Sequence, residues 1–128
     1  MTAAADHRDP AVRVTLLPRD TNPHGTIFGG VILSHIDQAG AIEALRHGAE
    51  RVVTVAMDKV VFHAPVYVGD LVSFYGELVR LGTTSITVKV VVEAEHPSRR
   101  ASSRRVTEAV ITYVNTDQGG RPKPIPRP

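Results

Sequence analysis

Asp37 places a carboxylate in the middle of the apolar stretch GTIFGGVILSHIDQAGAIEAL, residues 25–45. Burying a charge without a partner costs several kcal/mol. A carboxylate held in such surroundings can act as a general base or a nucleophile. On a helical wheel Asp37 lies at the edge of an apolar arc formed by Ile32, Leu33, Ile36, Ala39, Gly40 and Ala44. Glu43 projects toward the same arc and Asp37 could instead face solvent, so the wheel alone does not select Asp37.

Gly29 and Gly30 precede this acid at the start of the predicted helix. The first amides of a helix have no partner within the helix and lie at the positive end of its dipole. Such amides can bind a carbonyl oxygen that gains negative charge during attack. A tight turn into the helix is the simpler alternative. Together, the acid and the amides predict an acyl-transfer site.

The elements that must position these groups follow from the period of the hydrophobic pattern. Residues 20–30 are rich in Asn, Pro and Gly and predict a loop, and Gly48 is placed to end the helix in the left-handed conformation. Residues 96–105 are polar and predict a connection. The predicted elements are a strand at 11–17, one helix at about 30–47, and strands at 51–66, 71–81, 85–95 and 106–115. This order predicts an α+β fold in which an antiparallel sheet wraps around one long central helix.

Composition limits the organisation and the function classes. We expect a flexible N-terminus at 1–10, one domain at 11–117 and a Pro-rich flexible tail at 118–128. Fifteen basic residues nearly balance thirteen acidic ones, so nucleic acid is not an expected partner. The absence of cysteine and the scattered histidines predict no metal site. No signal peptide or apolar span is evident, which favours a cytoplasmic protein without a membrane partner.

The combination of NPHGTIFGG, HIDQAG, VVTV, FHAPVYVGD and LGTTS resembles the hot-dog fold acyl-CoA thioesterases, specifically the bacterial acyl-CoA hydrolase branch. The resemblance runs from about residue 11 to 117. It implies hydrolysis of fatty acyl-CoA to free acid and CoA, with Asp37 as the catalytic carboxylate. It also implies that Gly29 and Gly30 polarise the thioester carbonyl. Whether the carboxylate activates water or attacks the carbonyl to form an anhydride is left open.

Further site residues come from the same resemblance. Family members commonly have Asn or Asp at the place of Thr26, where the side chain helps to position water or substrate, so Thr26 is a catalytic candidate with an altered side chain. Arg99, Arg100, Arg104 and Arg105 could meet CoA phosphates, although a solvated loop is slightly favoured. The predicted substrate contacts are Asn22, His24, Gly25, Phe28, Thr54, Gly82, Thr83, Thr84 and Ser85.

The spacing of Gly29 and Asp37 predicts a site shared between two chains. Eight residues at 1.5 Å rise separate them by roughly 12 Å along one helix. Two antiparallel copies could bring the start of one helix to the middle of the other. The resemblance likewise implies a homodimer, often assembled further into a hexamer as a trimer of dimers. No cofactor is expected, because CoA is part of the substrate.

Two other functions remain as alternatives. A hot-dog module that binds acyl-CoA without hydrolysing it, as a sensor or assembly subunit, has the same fold. Asp37 favours the enzyme, whereas Thr26 slightly favours the binding module. A hydratase would need a paired His and Asp motif that the sequence does not contain.

Overall fold

One long helix packs against a five-stranded antiparallel sheet. A computed structural model describes residues 9–127, without the side chains of Arg100 and Ala101. Most of the predicted N-terminal segment 1–10 therefore lies outside the described residues. The elements are β1 (Val12–Thr15), α1 (Gly29–Arg46), β2 (Val52–Phe62), β3 (Leu71–Leu81), β4 (Ser85–His96) and β5 (Arg99–Asn115), with a short 3-10 turn at Pro18–Asp20. The predicted α+β class and the order of the elements are confirmed.

The strands lie in the order β1-β3-β4-β5-β2, and every neighbouring pair is antiparallel. This order leaves β2 at one edge of the sheet. The helix ends as predicted, because Gly48 adopts a left-handed φ of 102° just after it. One face of the helix packs on the sheet, and the residues on its opposite face are only partly buried or are exposed.

The helix and the sheet bury one continuous apolar core. Helix residues Ile32, Ile36, Ala39 and Ala44 pack against inward side chains of β3, β4 and β5 such as Val90. Full burial of one Ile or Val side chain contributes about 1.5–3 kcal/mol, so this interface holds the helix in place. Of the predicted apolar arc, Leu33 is only partly buried, while the rest is buried.

The predicted polar connection at 96–105 is wrong. β4 and β5 form a hairpin with a tight turn at residues 97 and 98, and His96 pairs with Arg99 across it. Backbone pairing continues beyond the core, where exposed polar side chains are tolerated. The polar composition therefore reflects solvent exposure of the hairpin rather than a break in the strand.

The tail beyond Asp117 packs against the domain, contrary to the predicted flexible segment 118–128 in the part that the structure describes. Ile125 is only 4% exposed, and its amide donates to the Thr83 carbonyl at 2.8 Å. The fully buried Asn115 donates to the Lys123 carbonyl at 3.2 Å. Proline and basic residues favour an extended chain, but one apolar side chain and these backbone bonds dock it.

Candidate active site

Asp37 is partly buried and is held by two hydroxyl groups from the sheet. Thr54 on β2 donates to Asp37 Oδ1 at 2.7 Å. The Tyr113 hydroxyl on β5 lies 2.7 Å from the Asp37 carbonyl oxygen and 3.2 Å from Oδ1. Among the described residues, Asp37 Oδ2 has no hydrogen-bond partner. One carboxylate oxygen is thus fixed, and the other is available to a water molecule or a substrate.

Tyr113 stays protonated in this arrangement. Burial raises the pKa of the Tyr113 phenol well above its usual value, and the charge and hydrogen bond of Asp37 raise it further. The phenol can therefore act as a hydrogen-bond donor throughout the neutral range. Gly40 makes room for it, because a Cβ at that position would overlap the Tyr113 hydroxyl oxygen.

Gly29 and Gly30 form the first turn of α1, as predicted within one residue. The first bonded amides are those of Val31 and Ile32, which both donate to the Phe28 carbonyl at 3.0 and 3.4 Å. The amides of Gly29 and Gly30 have no hydrogen-bond partner among the described residues. They are two donors at the positive end of the helix dipole, suited to an oxyanion.

A cavity of about 350 Å³ lies beside this helix start. A Cβ at Gly29 would lie 3.2 Å from the Phe62 ring, which is one wall of the cavity. Its other walls are mostly apolar. The lining residues are Ile27, Gly29, Ile32, Phe62, His63, Ala64, Pro65, Val66 and Thr107. Asp37 is not among them, so one chain does not place its own acid at its own cavity.

The Asn22–Thr26 loop is organised by the Asn22 side chain. Asn22 Nδ2 donates to Thr26 Oγ1 at 2.7 Å, and Asn22 Oδ1 accepts the amides of His24 and Thr26. Gly25 supplies a left-handed φ of 89°, which closes the turn. Thr26 and Asn22 therefore bond each other, His24 is exposed, and Phe28 is 57% exposed beside the glycine pair.

The turn of Gly82, Thr83, Thr84 and Ser85 lies at the opposite end of the sheet from the cavity. It adjoins the ends of α1 and β5, and the Asn115 amide donates to the Thr84 carbonyl. In the tail, the Arg127 guanidinium donates to the Gly82 carbonyl and the Ile125 amide donates to the Thr83 carbonyl. Within one chain, these four residues do not meet Gly29.

Comparisons with known proteins identify the family. Residues 24–101 match the model of the Thioesterase superfamily. The acyl-CoA thioester hydrolase YciA of Salmonella typhimurium is 40% identical over 117 residues, which cover 90% of this chain and 88% of that protein.

The chain belongs to the Thioesterase superfamily.

Solved structures agree with this assignment. Cj0915, a hexameric hotdog fold thioesterase of Campylobacter jejuni, superposes with a TM-score of 0.85 at 47% identity, covering 91% of this chain and 90% of that one. HI0827, a hexameric broad specificity acyl-coenzyme A thioesterase, has a TM-score of 0.85 at 40% identity, covering 94% and 82%. The predicted hot-dog fold is therefore confirmed, and this thioesterase-superfamily chain carries Asp37 on the central helix of that fold.

The structure divides the predicted site of this superfamily member into three groups. Asp37 and Thr54 lie together, the Asn22 loop leads to the glycine pair, and the turn at 82–85 is apart from both. Thr54 was predicted as a substrate contact, but its hydroxyl is bonded to Asp37. The sequence did not reveal Tyr113, although its place on the inward face of β5 was a usable signal.

The sequence analysis predicted no membrane partner and no metal site, and it considered four arginines for the CoA phosphates. Among residues 9–127, no helix has the length and apolar character needed to cross a membrane. The same residues include no cluster of three His, Asp or Glu groups suited to a metal ion. Of the arginines considered for CoA phosphates, Arg104 donates to the buried Asp70 at 2.9 Å, and Arg105 lies 3.8 Å from Glu108. Arg104 is therefore a structural contact.

Proposed function

We propose that this protein hydrolyses the thioester of acyl-CoA to a free carboxylic acid and CoA. The observation that carries the proposal is the Asp37 carboxylate, fixed through Oδ1 and open at Oδ2, on the central helix of a thioesterase fold. YciA of Salmonella typhimurium, a relative at 40% identity, is named an acyl-CoA thioester hydrolase. The open oxygen is the group that a thioester hydrolase needs, as base or nucleophile.

Two routes are consistent with this geometry. In the first, Asp37 Oδ2 accepts a proton from water, the water oxygen attacks the thioester carbon, and the carbon–sulfur bond breaks to release CoA thiolate. In the second, Oδ2 attacks the carbon and expels the thiolate, and water then hydrolyses the resulting anhydride. In both, negative charge on the carbonyl oxygen is stabilised by the amides of Gly29 and Gly30.

The parts of this site come from two chains in our proposal. Asp37 contacts Thr54 near the beginning of β2, whereas Gly29 adjoins Phe62 at its end. Gly29 and Asp37 are separated by roughly 12 Å along the helix, which exceeds the reach of one carboxylate side chain. An Asp37 from a partner chain is therefore needed beside the cavity.

The exposed edge of the sheet offers the surface for that partner. β2 is the edge strand next to β5, and it presents apolar side chains to solvent along its whole length: Val53, Val55, Val60, Val61 and Phe62. Such an edge normally pairs or is covered. A two-fold axis near the middle of β2 would set Thr54 of one chain beside Phe62 of the other. Each Asp37 would then meet the partner's cavity, and the turn at 82–85 of the chain that supplies Asp37 would lie at the same end.

We further propose a homodimer assembled into a trimer of dimers. Cj0915 and HI0827 are both hexameric, which supports this state. The reaction needs no metal or separate cofactor in our account, since CoA enters with the substrate. A cytoplasmic location remains a prediction.

The direct test measures CoA release from a panel of acyl-CoAs with a thiol reagent. Asp37→Asn should lower kcat by about 10²- to 10⁴-fold. Asp117→Asn removes the same charge in a distant turn and should leave kcat unchanged. Binding of acyl-CoA without CoA release at any chain length would overturn hydrolysis and favour the non-catalytic module.

A further inference from the structure

Arg104 and Asp70 form a buried ionic pair that the proposed reaction does not use. Asp70 immediately precedes β3 and is 2% exposed, and Arg104 Nη2 on β5 donates to its Oδ2 at 2.9 Å. Among the described residues, Arg104 is the one cation paired with Asp70. Buried ionic pairs are often no more stabilising than apolar side chains of similar volume. The further contacts of this pair therefore indicate what it holds in place.

The pair holds the loop between β2 and β3 from two sides. Arg104 Nη2 also donates to the Pro65 carbonyl at 3.1 Å. Asp70 Oδ2 also accepts the Tyr67 amide at 3.0 Å. In addition, the Arg104 guanidinium carbon lies 5.8 Å from the centroid of the Tyr67 ring, within the range of a cation–π contact. These contacts fix both neighbours of Val66.

Pro65 interrupts the backbone pairing of this loop. The amides of His63 and Ala64 both donate to the Val106 carbonyl, at 2.8 and 3.3 Å. Proline has no amide hydrogen, so this pairing cannot continue through Pro65. The contact of Arg104 with the Pro65 carbonyl begins where the pairing to β5 ends.

The same loop forms a wall of the cavity beside Gly29. Ala64, Pro65 and Val66 line the cavity, and Pro65 is exposed. The Val66 carbonyl accepts the amide of Ile27, two residues before Gly29, at 2.8 Å. The wall is therefore connected both to the ionic pair and to the chain that enters α1.

The acyl chain is the part of the substrate that suits this cavity. With the thioester carbonyl at the Gly29 amide, the acyl chain and the CoA sulfur leave the carbonyl carbon in different directions. The charged CoA nucleotide stays in water, whereas an acyl chain gains by burial against apolar walls. A longer acyl chain therefore depends more on the position of the Pro65 wall than a short one.

We infer that Arg104 and Asp70 are positioning residues, which fix the Pro65 wall and thereby set how strongly longer acyl chains are favoured. This inference rests on the proposed function, because it places the acyl chain in the cavity. Among the described residues that line the cavity, neither member of the pair is present, so both act through the loop. Without the pair the loop is held less tightly, and the wall loses contact with the acyl carbons farthest from the carbonyl.

The test compares kcat/KM for hexanoyl-CoA and acetyl-CoA at a temperature where thermal scans show each variant folded. Arg104→Met removes the guanidinium but keeps an unbranched side chain. The ratio of hexanoyl to acetyl should fall about tenfold, which is the effect of about one methylene in an apolar pocket. Asp70→Asn keeps the side-chain shape and an acceptor for the Tyr67 amide, so the ratio should fall about threefold. Arg121→Met removes an exposed charge in the tail and is the control, with an unchanged ratio.

The outcomes separate this inference from a purely structural role and from the proposed function. A purely structural pair would lower thermal stability and leave the ratio of the folded variants unchanged. If wild type hydrolyses these esters and folded Arg104→Met has a ratio equal to or above that of wild type, the inference is wrong and the hydrolase assignment stands. If Arg104→Met does not fold, Asp70→Asn decides by the same criterion. If wild type hydrolyses neither ester, the hydrolase assignment is wrong, and the inference then requires the same fall in the ratio of calorimetric affinities.

Discussion

The hydroxyl oxygen of Tyr113 lies 2.7 Å from the carbonyl oxygen of Asp37 and 3.2 Å from its Oδ1 atom. This contact ties the fifth strand to the middle of the central helix at the proposed catalytic acid. It exists because position 40, one turn further along the helix, is glycine. A Cβ there would overlap the Tyr113 hydroxyl and would lie 3.1 Å from the ring carbons Cε2 and Cζ.

Gly40→Ala should therefore impair catalysis without disrupting the fold. Alanine is favoured over glycine in helices by about 1 kcal/mol, which offsets part of the steric cost. The displaced phenol should release Asp37 and lower kcat by about ten- to 100-fold, with a smaller effect on KM. Gln38→Ala, on the exposed side of the helix, is the control and should behave as wild type.

A double mutant checks that the effect passes through Tyr113. Tyr113→Phe removes the overlapping oxygen, so Gly40→Ala combined with Tyr113→Phe should be no slower than Gly40→Ala alone. Two results would show that Asp37 does not depend on this contact. One is a loss of kcat in the double mutant equal to the product of the two single losses. The other is full kcat in a folded Gly40→Ala protein.

The raised pKa of Tyr113 predicts its behaviour in alkaline solution. A phenol in an unfolded chain ionises near pH ~10, whereas burial beside Asp37 holds the proton on Tyr113 above that point. Its contribution to stability is full below pH ~10 and is lost as pH rises beyond it. In the folded protein, tyrosinate absorbance of wild type and Tyr113→Phe should coincide through pH ~10. If the tyrosinate absorbance of the variant rose by one tyrosine less than that of wild type over this range, Tyr113 would ionise normally.

Ile125 should anchor the C-terminal tail. Because its side chain is only 4% exposed, Ile125→Ala should lower the free energy of unfolding by about 2–4 kcal/mol. Pro124→Ala, on an exposed neighbour, is the matched control and should change stability much less. Chemical denaturation of both variants measures the difference, and equal midpoints would mean that the tail does not stabilise the domain.

Local patterns in the sequence were sufficient for most of the fold. The turns at 68–70 and at Gly82 bounded β3, alternating Val and Ile residues located β4 to within one residue, and Gly48 marked the end of the helix, because these signals act over a few neighbours. The hairpin at 96–105 and the tail were missed since polar or Pro-rich composition reports exposure, not backbone pairing. The hairpin pairs with the strand directly before it, and the tail docks on Thr83 and Asn115, contacts that composition does not report.

The candidate site was only partly accessible to sequence reasoning. Asp37 stood out because an acid interrupts an apolar helix, and the glycine pair marked the helix start. Tyr113 could not be paired with Asp37 without knowing which strand crosses the helix. The two-residue period of β5 sets Tyr113 on the same face as the buried Ile111, which indicates an inward side chain.

Subunit mixing tests the central claim, that Asp37 of one chain works at the Gly29 amide of another. Chains with Asp37→Asn and chains with Gly29→Leu should each be inactive while folded. Random exchange at equal concentrations makes half of the dimers mixed, each with one intact site, so about a quarter of wild-type activity should return. A chain carrying both substitutions, mixed with Asp37→Asn, is the control and should restore none. If mass measurement shows exchange between the two single variants and no activity returns, the shared site is contradicted.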